Sequence, residues 1–522
     1  MKPDPIELEL FRHLLVSIAE EMGAVLRKTS YSANIKERRD YSCAVYDAEG
    51  ETVAMGDHMP VHLGAMPLSV RHATQAFDLQ PGDVAILNDP FRGGTHLPDI
   101  TAVSAIFVRG SRKPAFYVAN RAHHADVGGM SPGSMPLARE IYQEGIRIPP
   151  ILLARRGRFD RPLLDLILAN VRTPVEREGD LLAQCMAIRR GEQRLHDLVH
   201  KYGMATVRRN MTALKDYSER MMRSAIRLLP RGKYHFEDSL DSDGITDRPV
   251  KVAVTVTIHG DRATIDFTGS DPQTEGSVNA NYAVAVSATT YVFRCLVREE
   301  IPYTAGVMRP LEVIAPSGSV VSANPPSAMA AGNVETSQRI TDVVLGALFK
   351  AAPVLIPAAS SGTMNNLTFG GNDPVRHQPF AYYETIAGGM GASAVSDGPS
   401  ATHTHMTNSW NTPVEAFEHQ YPLRIRGYRI RSGSGGRGKH RGGDGVIREY
   451  EFLTPAQVTI LSDRRLRGPY GLHGGKPGTP GKNLLFHGNR VTTIPGKARF
   501  EVERGDVLRI ESPGGGGYGK PD

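Results

Sequence analysis

Residues 101–120, TAVSAIFVRGSRKPAFYVAN, consist of two apolar segments separated by a short basic turn. Short apolar runs bounded by turn residues are typical of buried β-strands. We therefore predict a hairpin with strands at TAVSAIFV and PAFYVAN and a turn at RGSRK. Upstream, further strands are predicted at SCAVYD (42–47), ETVAMG (51–56) and DVAILND (83–89). The N-terminal part of the chain is therefore expected to be rich in strands.

The spacing of apolar residues changes elsewhere in the chain. In residues 5–30 and 163–229 they recur every three or four positions, which predicts amphipathic helices. Residues 282–300 and 336–352 have the same helical spacing, whereas 250–270 predict another hairpin with a Gly-Asp turn. The predicted fold class is α+β and multi-domain, with strand-rich N- and C-terminal parts and a central helical segment.

The length and these changes of spacing also predict the domains. A chain of 522 residues corresponds to about three or four folding units. We predict an N-terminal α+β region with candidate metal loops at 1–162, a helical segment at 163–229, a central α+β region at 230–420 and a C-terminal region of strands and glycine turns at 421–522.

The composition argues against several classes of protein. The three cysteines lack a C-x-x-C pair, which is typical of a reducing compartment, so we expect a cytoplasmic location. The net charge of +6 is spread along the chain and aromatic residues make up only 7%, which argues against nucleic-acid binding. No stretch approaches the roughly 18 apolar residues of a membrane helix, and the start MKPDPIELEL does not have the pattern of a signal peptide.

Two loops concentrate residue types that ligate metals. They are NDPFRGGTHLPD at 88–99 and NRAHHADVGG at 120–129, and each follows a predicted apolar strand. Loops held by strands are frequent positions for functional sites. Imidazole and carboxylate ligands suit zinc or manganese, and three such ligands leave a position open for water or substrate. In the alternative interpretation, the histidines cap turns and the aspartates accept hydrogen bonds from loop amides.

Further histidines lie in two other motifs. The run ATHTHMTN at 401–408 places His403 and His405 on one side if it forms a strand. This pattern fits metal binding, substrate hydrogen bonding or simple exposure. His58 and His62, in GDHMPVHLGAM, are interpreted as structural residues.

The run GSGGRGKH at 433–440 is close to a phosphate-binding loop. It does not have the final hydroxyl residue, and a predicted strand follows it where a phosphate loop opens a helix. We interpret it as a basic glycine turn.

These motifs, in this order, resemble the hydantoinase B/5-oxoprolinase family. The family includes the ATP-dependent N-methylhydantoinase B subunit, the C-terminal part of 5-oxoprolinase and the alpha-type subunit of acetone carboxylases. The resemblance runs from residue 38 to residue 519 and rests on these stretches: RRDYSCAVYD, PVHLGAM, NDPFRGGTHLPDI, RAHHADVGGMSPGSMP, NVRTPVEREGDLLAQ, DFTGSDPQTEGSVNAN, ETSQRITDVVLGAL, THTHMTNSWNTPVE, SGGRGKHRGGDGVIREYEF and SPGGGGYG.

The resemblance implies a divalent metal ion, zinc or manganese, and roles for individual residues. The implied metal ligands are His96, Asp99 and His123, with His124 as the alternative to His123. The candidate catalytic residues, which orient ligands or transfer protons, are His124, Asp126, His403 and His405. The candidate substrate-binding residues are Arg92, Arg121, Asn408 and Trp410. Ketone carboxylases favour Thr-Arg where this chain has Ser409-Trp410, which disfavours a carboxylase.

The function that the resemblance implies is the B-type subunit of an ATP-dependent cyclic-amide hydrolase of the hydantoinase, 5-oxoprolinase or lactamase type. A separate A-type subunit with an ATPase fold would use ATP-Mg to phosphorylate the substrate, and this chain, in a hetero-oligomer with it, would complete ring opening. ATP would not bind to this chain. The alternatives are the alpha-type subunit of an ATP-dependent ketone carboxylase and a non-catalytic structural subunit.

Overall fold

The computed structural model of this chain describes residues 4–56, 59–108 and 110–521. The α-helices in this part of the chain are α1 (Pro5–Thr29), α2 (Ala33–Lys36), α3 (Ala65–Ala76), α4 (Arg161–Leu168), α5 (Pro174–Tyr202), α6 (Met204–Arg227), α7 (Tyr282–Cys295), α8 (Ser337–Ala351) and α9 (Val414–Gln420). Helices α1, α5 and α6 confirm the helical spacing of the N-terminal and central sequence. None of the helices in the described ranges has the length and apolar character that crossing a membrane requires.

The ends of α1 show why this helix forms where the sequence predicts it. The side chain of Asp4 accepts a hydrogen bond from the backbone N–H of Ile6, and Pro5 occupies the first helical position. Arg27 and Lys28 lie in the last turn, where positive charge stabilises the carbonyl end of a helix.

The first sheet is antiparallel and contains the predicted hairpin at its centre. Its strands are β1 (Tyr41–Tyr46), β2 (Thr52–Met55), β3 (Val84–Leu87), β4 (Asp99–Ile106), β5 (Phe116–His123), β6 (Ile151–Arg155) and β7 (Arg158–Phe159), in the spatial order β2-β1-β5-β4-β3-β6-β7. Strands β4 and β5 pair along their full length, with Asp99 opposite His123. The start of β4 and the end of β5 therefore lie side by side.

Both faces of this sheet are buried, which agrees with the continuous apolar character of its strands. Helices α1, α5 and α6 cover one face, where Leu15, Cys43 and Val118 belong to one core cluster. The opposite face packs into a second core, shared with α3, α7 and α8, which includes Ala44 and Val103.

The second sheet contains β8 (Gly232–Leu240), β9 (Val250–His259), β10 (Arg262–Asp266) and β11 (Leu311–Ile314), in the order β11-β10-β9-β8. Strands β9 and β10 confirm the hairpin predicted at 250–270. Side chains of α7 and α8 join those of this sheet in the core that it shares with the first sheet.

Two C-terminal sheets complete the fold. Their strands are β12 (Asn366–Asp373), β13 (Gln378–Glu384), β14 (Leu423–Ile430), β15 (Val446–Phe452), β16 (Ala456–Leu461), β17 (Lys482–His487), β18 (Arg490–Ile494), β19 (Lys497–Val502) and β20 (Val507–Glu511). One sheet has the order β13-β12-β16-β19 and the other β14-β15-β20-β17-β18, and they share a core that includes Phe369 and Tyr450. The α+β fold class is confirmed. The first of these sheets combines strands from both sides of residue 420, so residue 420 does not separate one sheet from another. The domain boundaries stay a prediction.

The glycine run at 433–440 packs against the C-terminal glycines. The backbone N–H of Gly436 donates to the carbonyl of Gly515, and His440 and Tyr518 exchange backbone hydrogen bonds. A Cβ atom on the nearby Gly443 would lie 1.9 Å from the carbonyl oxygen of Pro399. Glycine is therefore required at residue 443 because two backbone segments meet there.

Candidate metal centre

Three buried side chains, His96, Asp99 and His123, converge on a common point. Nε2 of His96 lies 3.2 Å from Nδ1 of His123. Oδ1 of Asp99 lies 3.2 Å from the first of these nitrogens and 3.1 Å from the second. Asp99 begins β4, His123 ends β5, and His96 lies in the loop that enters β4. The hairpin register therefore brings ligand atoms from both predicted metal loops together.

The spacing of these three atoms fits a metal ion. Bonds of about 2.1 Å separate neighbouring ligand atoms by about 3.0 Å in octahedral geometry and about 3.4 Å in tetrahedral geometry. The three observed separations, 3.1, 3.2 and 3.2 Å, lie between these values. Two imidazoles and a carboxylate also suit divalent zinc or manganese chemically. The His-Asp-His group can therefore hold a metal ion.

Side chains of the same loop fix the positions of His96 and Asp99. Nδ2 of Asn88 donates to the carbonyl of Leu97 at 2.7 Å, which holds the loop between the two ligands. Oγ1 of Thr95 donates to Oδ2 of Asp99 at 2.5 Å. Because Oδ2 is occupied in this way, Oδ1 is the oxygen that faces both histidines.

A backbone carbonyl orients the ring of His96. Nδ1 of His96 lies 3.3 Å from the carbonyl oxygen of Ala330. A proton on Nδ1 satisfies this contact and leaves the lone pair of Nε2 for a metal. Glu144 holds the same backbone segment, since its Oε1 accepts hydrogen bonds from Met329 and Ala330 at 2.7 and 2.8 Å. Glu144 thus acts on His96 through the backbone.

Three residues around the centre were not predicted as part of a site. His62, interpreted from the sequence as structural, has Nε2 3.5 Å from Oδ2 of Asp99. Nδ2 of Asn333 lies 3.1 Å from Nε2 of His96. The ring of Tyr383 stacks on His123 with the centroids 4.3 Å apart. His62 belongs to the PVHLGAM motif, which could have indicated that it lies at the site. No local sequence pattern marks Asn333 or Tyr383 as part of it. His58 lies outside the described residues.

The electrostatics of the centre favour a metal-binding protonation state. Burial alone would raise the pKa of Asp99, but His96 and the hydrogen bonds from His123 and His62 lower it well below its usual value. Burial lowers the pKa of His123, and it lowers the pKa of His62 to about 4 despite Asp99. An ionised carboxylate and a neutral imidazole can bind a metal at neutral pH without first losing protons.

A cavity of about 10 Å³ adjoins the centre. Asp40, Tyr383 and Thr407 contribute polar groups to its wall. This volume corresponds to roughly one water-sized sphere. The cavity can therefore accept an ion or a water molecule, whereas a ring-sized molecule does not fit within it.

Replacement of Gly332 by alanine is expected to disturb the centre through Asn333. Gly332 begins a turn of π-helix, and its Cβ would lie 1.8 Å from the carbonyl oxygen of Asn279. Backbone must move to relieve this overlap, so we expect a loss of about 3 kcal/mol in stability and weaker metal binding. Melting temperature and metal titration measure both effects. The control Gly488→Ala places its Cβ in open space and is expected to cost only about 1 kcal/mol. Equal effects of the two substitutions would contradict this account.

The candidate catalytic residues His124 and Asp126 lie away from the three ligand atoms. Nε2 of His124 contacts Oε1 of Gln184 on α5 at 3.0 Å, on the face of β5 opposite His123. Asp126 accepts hydrogen bonds from the backbone of Gly128 and from both the backbone and guanidinium of Arg172. Both side chains brace the loop after β5, and their catalytic roles stay predictions.

The candidate residues His403 and His405 lie in a segment that borders the centre. Thr407, two residues beyond His405, lines the small cavity. His405 is buried, with Nδ1 3.5 Å from the hydroxyl of Tyr291 and Nε2 4.0 Å from Oδ1 of Asp342. Burial lowers the pKa of His403 and of His405 to about 4. Neither histidine contacts the three ligands in the described part of the chain.

The four candidate substrate-binding residues occupy different environments. Arg121 is buried, and its guanidinium donates to Thr101 at 2.8 Å and to Ser69 at 2.7 Å. Arg92 is exposed, 3.8 Å from the carboxylate of Asp89. Asn408 and Trp410 are exposed, and the Arg39 guanidinium lies 3.6 Å from the centroid of the Trp410 ring.

The fold and the His-Asp-His cluster define an α+β protein with a candidate metal centre. The sequence profile of Hydantoinase B/oxoprolinase matches residues 4–521. The chain therefore belongs to the hydantoinase B/oxoprolinase family, as its motifs predicted.

Relatives within the family differ in length. The chain is 40% identical to 5-oxoprolinase 1 of Arabidopsis thaliana, over 99% of this chain and 42% of that protein. It is 30% identical to a Pseudomonas sp. protein provisionally named as the B-type subunit of a D-/L-hydantoinase, over 100% of this chain and 90% of that protein. The chain thus spans less than half of the plant protein and nearly all of the bacterial one.

Two solved structures have the same fold. The crystal structure of ATP-dependent caprolactamase from Pseudomonas jessenii is 28% identical and superposes with a TM-score of 0.92, over 100% of this chain and 92% of that one. Nucleotide-free acetone carboxylase is 19% identical, with a TM-score of 0.91 over 99% of this chain and 76% of that one. At this identity the second likeness shows the fold alone.

Proposed function

We propose that this chain is the B-type subunit of an ATP-dependent cyclic-amide hydrolase of the hydantoinase, 5-oxoprolinase or lactamase type. The observation that carries the proposal is the buried His96–Asp99–His123 cluster in a chain of this family. The names of the relatives support the reaction class, since they include 5-oxoprolinase, a hydantoinase and ATP-dependent caprolactamase.

The proposal includes an A-type partner that uses ATP-Mg. A bacterial relative of nearly the same length is named as one subunit of its enzyme, which supports a hetero-oligomer. The longer 5-oxoprolinase of Arabidopsis leaves room for a second functional part in the same polypeptide. In either arrangement, phosphorylation of the amide oxygen would remove the resonance that protects an amide from water. Water would add to the carbonyl carbon, the C–N bond would break with a proton delivered to the ring nitrogen, and a second water would hydrolyse the resulting acyl phosphate to carboxylate and phosphate.

His96, Asp99 and His123 would hold a divalent metal, zinc or manganese. Such a metal lowers the pKa of bound water towards neutrality and polarises a carbonyl oxygen. Thr95 and Asn333 keep Asp99 in place, since Oγ1 of Thr95 and Nδ2 of Asn333 both donate to its Oδ2.

Proton transfer is proposed for His403 and His405. The lowered pKa of each ring makes it neutral near pH 7, and each Nε2 atom is buried without a hydrogen-bond partner in the described residues. A pKa of about 4 makes each imidazole a weak base, and a bound phosphoryl group would raise that pKa towards neutrality, where proton transfer is efficient. His124 and Asp126 would support the centre through the loop after β5.

A coupled assay tests the proposal. The chain is co-purified with its A-type partner, and ATP hydrolysis is followed with hydantoins, 5-oxoproline, lactams and ketones, with and without bicarbonate. We expect ring opening of a cyclic amide that depends on ATP and both subunits and is independent of bicarbonate. The chain alone is expected to show no ATP turnover.

The other outcomes separate the alternatives. A requirement for both a ketone and bicarbonate would contradict the hydrolase and identify a carboxylase. Full activity of the A-type partner without this chain, or with its His96→Ala variant, would contradict a catalytic role and identify a structural subunit.

A further inference from the structure

A surface cleft rich in cations lies next to the metal centre. It has a volume of about 380 Å³, within the range of small-molecule sites. We call it the cationic cleft; its lining side chains are Arg27, Lys28, Lys36, Glu37, Arg39, Trp410 and Pro413. Four cations and one acid therefore line one concave surface.

The charge of the cleft is not neutralised within the protein. None of Arg27, Lys28, Lys36 and Arg39 forms an ion pair with an acid in the ranges that the structure describes. Arg27 and Lys28 lie in the last turn of α1, where the partial negative charge of the helix end favours positive side chains. This helix end does not account for Arg39, which lies outside the helices and has a φ of 56°. This left-handed backbone is costly for a residue other than glycine.

Trp410 adds an aromatic platform to the cleft. Arg39 stacks on it with the guanidinium carbon 3.6 Å from the ring centroid, yet Trp410 remains 55% exposed. A planar or apolar group can therefore contact the indole while the neighbouring cations contact an anion.

Arg38 connects the cleft with the metal centre through hydrogen bonds. Arg39 directly precedes Asp40, which lines the small cavity beside the metal ligands. The backbone N–H of Trp410 donates to the carbonyl of Arg38 at 2.9 Å. The Arg38 guanidinium in turn donates to the carbonyl of Tyr383, whose ring stacks on His123. Arg38 therefore separates the cleft from the metal centre and contacts residues of both.

We propose that the cationic cleft binds a small phosphorylated molecule with a planar group, with the phosphoryl group among the four cations and the planar group on Trp410. A phosphate monoester carries about two negative charges and three acceptor oxygens, so it matches four cations better than a single carboxylate does. Guanidinium groups also bind phosphate in a two-pronged geometry. The volume of the cleft, about 380 Å³, suits a small molecule.

The role of this molecule as the activated substrate rests on the proposed function, whereas its binding does not. The phosphorylated product of the A-type partner would be held in this cleft, with Arg38 between it and the metal centre. Binding can be measured on the full-length chain alone, without the partner and without metal.

The single tryptophan of the chain, Trp410, provides the measurement. Its fluorescence is followed during titration with phenyl phosphate, benzoate and inorganic phosphate, and calorimetry measures each affinity independently. We expect saturable binding of phenyl phosphate that is at least about tenfold tighter than that of benzoate, weakens with added salt and changes Trp410 emission. Absence of saturable phenyl phosphate binding in calorimetry would overturn the proposal.

Two variants and a matched control locate the site. Lys36→Gln and Arg39→Gln are each expected to weaken phenyl phosphate binding by about tenfold, since each removes a charged contact. Lys113→Gln removes an exposed cation outside the cleft and is expected to leave the affinity unchanged. Equal weakening by all three would overturn the proposal, because it would indicate non-specific attraction.

Two further titrations test whether the cleft prefers an acidic peptide and whether binding depends on the metal centre. Tighter binding of a hexaglutamate peptide than of phenyl phosphate would overturn the proposal in favour of an acidic protein segment. His96→Ala is expected to bind phenyl phosphate like the unmodified chain. Failure of the metal-centre proposal would therefore leave this affinity in place, whereas failure of the cleft proposal would remove it.

Discussion

His96→Ala is expected to remove the bound metal and to lower ring-opening activity by about a thousandfold while the fold stays intact. The substitution deletes one of the three ligand atoms, Nε2 of His96. A catalytic metal contributes several kcal/mol to transition-state stabilisation, which corresponds to this loss in rate. Metal content per chain, circular dichroism and the coupled assay together measure the effect.

A surface histidine provides the matched control for this prediction. His196 lies on α5 with its side chain 44% exposed, so His196→Ala is expected to leave metal content and activity unchanged. Full metal content in the His96→Ala variant would contradict the assigned centre. Loss of metal together with loss of the circular dichroism signal would show that His96 is needed for folding.

Arg339→Met is expected to destabilise the protein by about 3–5 kcal/mol, because it leaves three clustered carboxylates with only two cations, Arg464 and Lys497. Arg339 is fully buried on α8, and its guanidinium lies 2.8 Å from Asp238, 2.9 Å from Asp342 and 2.9 Å from Asp463. Methionine preserves much of the side-chain volume but removes the charge that these acids share. Thermal unfolding measures the loss.

The loss of stability in Arg339→Met should depend on pH, because Asp342 ionises in the folded protein. Burial and neighbouring carboxylates already raise the pKa of Asp342 to about 8, in opposition to Arg339. Without Arg339 its folded-state pKa rises further, so the folded protein holds more protons than the unfolded chain and loses stability as pH rises. Because Asp342 keeps its proton in both proteins up to about pH 8, the extra destabilisation of the variant should grow as the pH rises above 8.

The control for the second prediction is a surface arginine with two acidic neighbours. Arg161 pairs with Asp165 and Glu178, and its side chain is 59% exposed. Arg161→Met is expected to change stability by less than about 1 kcal/mol. Similar effects of both substitutions would contradict the assignment of the loss to buried charge.

The sequence predicts the fold class because its periodic signals are local. The apolar runs of 101–120 become the central strands β4 and β5, and the three- and four-residue spacing of 163–229 becomes α4, α5 and α6. The mixing of strands from both sides of residue 420 in one sheet depends on contacts between distant segments, which local spacing does not encode.

The candidate metal centre is partly predictable for a similar reason. His96, Asp99 and His123 lie at the open end of one hairpin, where β4 begins and β5 ends. Pairing of these two strands therefore brings the three residues together. Asn333 and Tyr383 reach the same centre from more than 200 residues further along the chain. Their polar and aromatic side chains do not differ in sequence from those of ordinary core residues.

Residue type alone also does not distinguish a metal ligand from a side chain that forms structural hydrogen bonds. His123 and His124 are neighbours with the same side chain, yet one faces Asp99 and the other faces Gln184. Alternation along a strand places them on opposite faces, but the sequence does not reveal which face holds the metal. Arg121 likewise has the residue type of a substrate ligand, and the structure shows it buried against Thr101 and Ser69. Its substrate-binding role stays a prediction.

Anomalous diffraction from crystals grown with manganese tests the central claim most directly. The account predicts one strong anomalous peak within bonding distance of Nε2 of His96, Oδ1 of Asp99 and Nδ1 of His123, and its loss in crystals of His96→Ala. A peak at another position, or a bound metal that persists in that variant, would contradict the assignment of this His-Asp-His group as the metal centre.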